Sequence, residues 1–139
     1  MIILDTNVLS ELMKADPSTN VAGWTAAQPP SSLFTTTITQ AEILYGLELL
    51  PDGVRREALA DAVAGMFDKD FSGRVLSFDG PATHAYAIIA AERKQAGRPI
   101  SQFDAQIAAI TRSRGAAVAT RNDSDFKGCG IHVVNPWDT

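Results

Sequence analysis

Cysteine is nearly absent: Cys129 stands alone in 139 residues. A lone thiol excludes an internal disulfide, and no spaced set of Cys and His exists to hold zinc or an iron–sulfur cluster. Long hydrophobic runs are missing as well. None approaches the roughly 20 apolar residues that cross a bilayer, and the first residues lack the basic segment and small-residue cleavage pattern of a secretory signal. We therefore expect a cytoplasmic protein with no membrane contact. Positive charge is scarce, with 12 Lys and Arg against 16 Asp and Glu and a net charge of −4, which argues against a broad phosphate-binding surface. Seven of the twelve cations lie from Arg93 onward; they are either one locally basic region or simply solvated helix faces. The few aromatic residues, Trp24, Tyr45, Phe67 and Trp137 among them, are expected in the core or an interface rather than as platforms for bases.

What is present is the composition of a globular protein, 45% hydrophobic and 20% charged, at a length that fits one ordinary domain spanning residues 1–139. Strand and helix patterns alternate along it. Ile2-Ile3-Leu4 reads as a buried strand, and Val8, Leu9 and Leu12 then recur at helical spacing. Leu33–Ile38 is rich in β-branched residues, and Thr39-Gln40-Ala41-Glu42 has the form of a capping box opening a helix. Pro51-Asp52-Gly53 ends that helix and a second runs from about Val54 to Phe67. Arg74–Phe78 is a further strand, after which Asp79 caps a helix with Pro81 at its first position and Gly97 as its stop. Ser101 caps an Ala- and Ile-rich helix reaching about Ser113. Ala116–Thr120 and Ile131–Val134 are the last strands. Strands separated by helices predict parallel pairing and an α/β fold.

In such sheets, sites form at the carboxyl ends of the strands. Asp5 follows the first strand, Glu42 lies just after the second, and Asp104 falls in the first turn of the helix opened by Ser101. Asn122, Asp123 and Asp125 follow the strand that ends at Thr120. Glu42 and Asp104 each have a bland explanation as favourable charges in a first helical turn. Asp5 is harder to dismiss. A carboxylate directly after an apolar run must cap the next helix or meet a cation, and Thr6 and Asn7 are already available as caps. Several acids gathered without a counter-charge would repel one another, so some would stay protonated. Oxygen donors without His or Cys point to Mg²⁺ or Mn²⁺, which suits phosphodiester hydrolysis.

These stretches resemble the PIN-domain family, in particular the VapC/FitB-type ribonuclease toxins of bacterial toxin–antitoxin pairs. The resemblance is carried by ILDTNVLSEL at 3–12, TQAEILYGLELL at 39–50, GRPISQFDAQIAAITRSRGAAVATRNDSDF at 97–126 and VVNPW at 133–137, and covers essentially the whole chain. It implies a PIN-like α/β/α sandwich with a central, mainly parallel sheet of about four to five strands. It also implies a Mg²⁺-dependent endoribonuclease acting on tRNA, rRNA or mRNA, with Mn²⁺ as the alternative ion. Carried over by position, Asp5, Glu42 and Asp104 are the acidic site residues, with Asp5 and Asp104 as metal ligands and Thr6 as the hydroxyl beside them. Asn122 takes the fourth position, with Asp123 and Asp125 as alternatives. Apart from the resemblance, Arg121, and with it Arg98 or Arg112, is either a contact to flanking phosphates or a solvated surface cation. The implied partners are a cognate VapB/FitA-type antitoxin, an RNA substrate, a second copy in a homodimer, and DNA only through the antitoxin. The contrasting possibility is a non-catalytic module that binds an antitoxin within a DNA-binding regulatory complex. His84 and His132 have no partner that would make either an acid or a base.

Overall fold

Three-residue apolar strands can be buried on both faces only if helices cover both sides of the sheet. The computed structural model describes all 139 residues and has that arrangement. In chain order the elements are β1 (Ile2–Leu4), α1 (Thr6–Leu12), α2 (Thr19–Ala26), β2 (Leu33–Thr36), α3 (Thr37–Glu48), α4 (Val54–Gly65), β3 (Val75–Leu76), α5 (Gly80–Gln95), α6 (Gln102–Ser113), β4 (Ala117–Ala119), α7 (Asp123–Phe126) and β5 (His132–Val134). The strands lie in the order β3-β2-β1-β4-β5, and every neighbouring pair is parallel. This is the expected α/β/α sandwich, with five strands and no antiparallel member.

Alternation along the central strands divides the interior in two. Ile3 and Val118, side by side in register, point into a core with Ile89 of α5 and Ile107 and Ile110 of α6. Leu4 and Ala119, one residue on, point the other way to meet Val8, Leu9, Val21, Ile43 and Val63 from α1 to α4. No helix is long and apolar enough to cross a membrane.

Several boundaries differ from the sequence reading. The second strand ends at Thr36 rather than Ile38, because the Thr36 hydroxyl accepts from the Thr39 N–H at 3.1 Å and starts α3 three residues early. Of two overlapping cap patterns, Thr36-x-x-Thr39 is the one used. Glu42 therefore leaves the first turn and lies in the second, which removes its role as a cap partner. Thr36→Ala should cost about 1 kcal/mol and lower Tm by about 2–4 °C, read by thermal unfolding; an unchanged Tm would show that the cap contributes nothing. The third strand shrinks to two residues, as suits a sheet edge paired on one side. Helix α2 left little trace in the sequence, since only Val21 is fully buried in it. The helix over 54–67 closes in a π turn, Met66–Asp70, that delivers Met66 and Phe67 to the core. Pro81 occupies the second position of α5, because Asp79 caps a helix beginning at Gly80.

Candidate active site

The strand order reverses between β1 and β4, and the crevice above their carboxyl ends is where open α/β sheets bind ligands. Asp5 follows β1 and Thr120 follows β4. Asp5 is only 4% exposed, and its N–H donates to the Ala119 carbonyl at 3.0 Å, which ties the two strand ends together. Its carboxylate accepts from the Thr6 N–H at 2.8 Å, the Thr120 hydroxyl at 2.8 Å and the Asn7 Nδ2 at 3.1 Å. Asp5 is thus the N-cap residue of α1 by position, yet its side chain serves the first helical N–H alone. Thr6 and Asn7, the caps expected from the sequence, are used otherwise. The Thr6 hydroxyl donates to Glu42 Oε1 at 2.8 Å and lies 3.1 Å from the Thr39 hydroxyl. Asn7 Oδ1 accepts from the Arg121 N–H at 3.0 Å.

All three donors to Asp5 are neutral, and no cation reaches it. Burial pushes its pKa up to about 6, against the hydrogen bonds from Thr120 and Thr6, while the charges of Asp104 and Glu42 push it further the same way. Asp104 is also raised, chiefly by burial. Hydrogen bonding with Ser101 opposes that shift, the Asp125 charge adds to it, and the buried Arg93 offsets part of it. Glu11 moves the other way, held low by hydrogen bonds from Lys14 and the Ser18 N–H.

These residues line a cleft of about 430 Å³ whose walls are Asp5, Thr6, Asn7, Ser10, Glu11, Lys14, Glu42, Asp104, Arg121, Asn122 and Trp137. Asp5, Glu42 and Asp104 are thereby brought together from the end of β1, α3 and α6, with Thr6 and Asn122. Asp123 and Asp125 lie on α7 outside the lining, although the Asp125 charge is felt at Asp104. Arg98 donates to the Ser124 carbonyl and Arg112 to that of Cys129, so neither reaches the cleft. Among the aromatics, Phe67 is buried and Trp24 packs against the same core cluster, but Tyr45 is 66% exposed and Trp137 forms part of the cleft wall. Ser10, Glu11 and Lys14 join the cleft wall and Thr120 holds Asp5, none of them marked by a sequence motif for a role in the site. Thr120 alone had a local signal, a hydroxyl directly after a buried strand.

The donor set fits a hard divalent cation. The lining contains carboxylates, hydroxyls and amides but no Cys or His, and a buried Asp5 ionised at neutral pH lacks a counter-charge. No three acidic or imidazole side chains close into a ready-made cage.

A five-stranded parallel sheet with an acidic cleft at its switch point defines the class: residues 2–130 match the PIN domain model, and the chain belongs to the PIN-domain family. Its relatives place it among the VapC/FitB-type toxins. It is 41% identical over 138 residues to the VapC ribonuclease Y4jK of Sinorhizobium fredii, covering 99% of both chains. It is 29% identical to the tRNA(fMet)-specific endonuclease VapC of Shigella flexneri, covering 97% of this chain and 96% of that one. The crystal structure of FitAcB from Neisseria gonorrhoeae superposes with a TM-score of 0.94 at 34% identity over all of both chains. A structure of FitAB bound to a DNA fragment superposes with a TM-score of 0.93, also at 34% identity, covering 99% of this chain and 96% of that one.

Proposed function

We propose that residues 1–139 act as one PIN domain that hydrolyses RNA phosphodiester bonds with Mg²⁺ or Mn²⁺, as the toxin of a toxin–antitoxin pair. The observation that carries this reading is the convergence of Asp5, Glu42 and Asp104, which are remote in sequence, on one cleft around a buried carboxylate with no cationic partner. Asp5 and Asp104 would hold the ion, which would supply Lewis-acid and electrostatic stabilisation for phosphodiester hydrolysis. Glu42 or Asp104 takes the proton of the attacking water. Glu42 is the better placed, since Thr6 fixes its Oε1 while Oε2 makes no hydrogen bond within the protein. Asn122, whose N–H is anchored on the Thr120 hydroxyl, offers its amide to the substrate.

A tRNA is the first substrate to test, given the specificity in the name of the Shigella relative. A cognate VapB/FitA-type antitoxin is the proposed inhibitor. An apolar groove of about 590 Å³, lined by Met13, Ile43, Leu47, Leu59 and Val63, runs into the cleft through Thr6, Lys14 and Glu42. Such a groove suits the apolar face of a partner's arm, and DNA would be contacted through that partner. Exposed Leu44, Tyr45, Leu49 and Phe103 support a homodimer.

The test is cleavage of a tRNA, rRNA and mRNA panel by antitoxin-free protein in Mg²⁺, Mn²⁺ or EDTA. Metal-dependent cuts that disappear in Asp104→Asn are expected. Cuts that persist in EDTA would defeat the metal reading. No cleavage with intact antitoxin binding would leave the non-catalytic module in its place.

A further inference from the structure

Only two of the residues lining the acidic cleft, Lys14 and Arg121, are cationic. Lys14 is engaged, with Nζ 2.9 Å from Glu11 Oε1. The Arg121 guanidinium makes no hydrogen bond and no salt bridge, yet its backbone is held from both sides. Its N–H donates to Asn7 Oδ1 at 3.0 Å and its carbonyl accepts from Asn135 Nδ2 at 3.3 Å. The guanidinium carbon lies over the Trp137 ring, 5.1 Å from the centroid. Glu11, an acid within range of its charge, has both oxygens occupied by Lys14 and the Ser18 N–H.

An ordinary surface arginine is a solvated, flexible chain. This one is fixed in register with the reacting centre: it follows Thr120, which donates to Asp5, and precedes Asn122 in the cleft wall. Stacking on Trp137 restrains the planar group while leaving its N–H donors open. A guanidinium fork matches two oxygens of a phosphate, and a cleft walled by four acids, Asp5, Glu11, Glu42 and Asp104, otherwise repels a polyanion.

We propose that Arg121, stacked on Trp137, is the positioning residue that grips an RNA phosphate adjacent to the one being hydrolysed. The inference rests on the ribonuclease reading above. Binding energy is thus drawn from a phosphate that does not react, which sets the strand across Asp5, Glu42 and Asp104 before chemistry.

The experiment measures KM and kcat for a short RNA containing one cleavage site, with wild type, Arg121→Ala and Arg121→Lys. It also measures binding of the same RNA to the cleavage-deficient Asp5→Asn protein at several salt concentrations, with and without Arg121→Ala. Arg121→Ala should raise KM about 10-fold or more while kcat falls by less, and should reduce the slope of log affinity against log salt by about 0.7, the single-strand value for one lost phosphate contact. Arg121→Lys should keep the slope, because the charge stays, and still raise KM several-fold through loss of fork and stack. Cleavage by wild type with KM and salt slope unchanged in Arg121→Ala overturns the inference and leaves the ribonuclease reading intact. RNA bound through Arg121 but not cut would sink the nuclease and keep the clamp. Neither binding nor cleavage would remove both.

Discussion

Asp5→Asn should lower metal-dependent RNA cleavage by at least about 10³-fold, the scale on which loss of a charge-stabilising group acts, and should not weaken the fold at pH 8 in EDTA. The two halves have one cause. Asp5 is buried among neutral donors and its pKa stands at about 6 instead of the ordinary 3.8. The folded state therefore holds its proton more tightly than the unfolded chain does. Between about pH 4 and 6 the folded protein binds more protons, so stability falls as pH rises through that window and levels off above it. The contribution is at most about 3 kcal/mol, and Asp104, raised for the same reason, adds in the same sense. An amide at position 5 carries no charge to desolvate, but it disturbs the hydrogen bonds from Asn7 and Thr120 and cannot offer an anionic ligand. Thermal unfolding of wild type and variant from pH 4 to 8 in EDTA reads the difference. The variant should gain on the wild type as pH rises, and added Mg²⁺ should stabilise only the wild type, by mass action. A variant that cuts RNA at the wild-type rate, or a stability difference that ignores pH, would show that Asp5 is not held as a strained charge awaiting a cation.

Arg93→Met should cost about 3 kcal/mol or more and lower Tm by about 10 °C for a chain of this length. Arg93 is 6% exposed. Its Nε donates to the Arg98 carbonyl at 2.7 Å, and one terminal nitrogen donates to the carbonyls of Asp125 at 2.8 Å and Lys127 at 3.1 Å. The same nitrogen lies 3.5 Å from the Cys129 sulfur. One side chain on α5 thereby satisfies carbonyls in the loop between α5 and α6 (Arg98), within α7 (Asp125) and directly after it (Lys127). Methionine keeps much of the volume and none of the donors, so three carbonyls lose their partner. Loss of the positive charge also removes the offset it provides at Asp104, so that carboxyl rises further and the variant's activity should shift to higher pH. Thermal unfolding and a pH–rate profile check both effects. A Tm within 2 °C of wild type would mean that water replaces the guanidinium freely and that these carbonyls need no such brace.

The acid pair of α3 and α6 shows how far local sequence carries. Ser101 and Asp104 were legible as cap and first-turn acid because both partners of the interaction lie within four residues; the Ser101 hydroxyl accepts from the Asp104 N–H at 3.2 Å. Glu42 carried the same signature, but Thr36 lies three residues before Thr39 and captured the helix start instead. The Thr6 hydroxyl that holds Glu42 lies 36 residues away. Arg93 read as one more solvated cation near a helix end, since two of its three carbonyl partners lie more than 30 residues downstream at Asp125 and Lys127.

By itself the sequence determined the alternation of strands and helices, the apolar run that buries β1, the caps at Asp79 and Ser101, and the stop at Gly97, all set by side-chain periodicity and contacts within one turn. Its acids marked the carboxyl ends of the strands as the place for chemistry. Only the tertiary structure decided that β1 lies between β2 and β4, which places Asp5 at the switch point. It also put Asn122 in the cleft wall with Asp123 and Asp125 outside, and brought Trp137 round to meet Arg121. Each of those outcomes depends on pairing and desolvation between segments far apart in the chain, where burial acts on whole surfaces and leaves no periodic trace in any one of them.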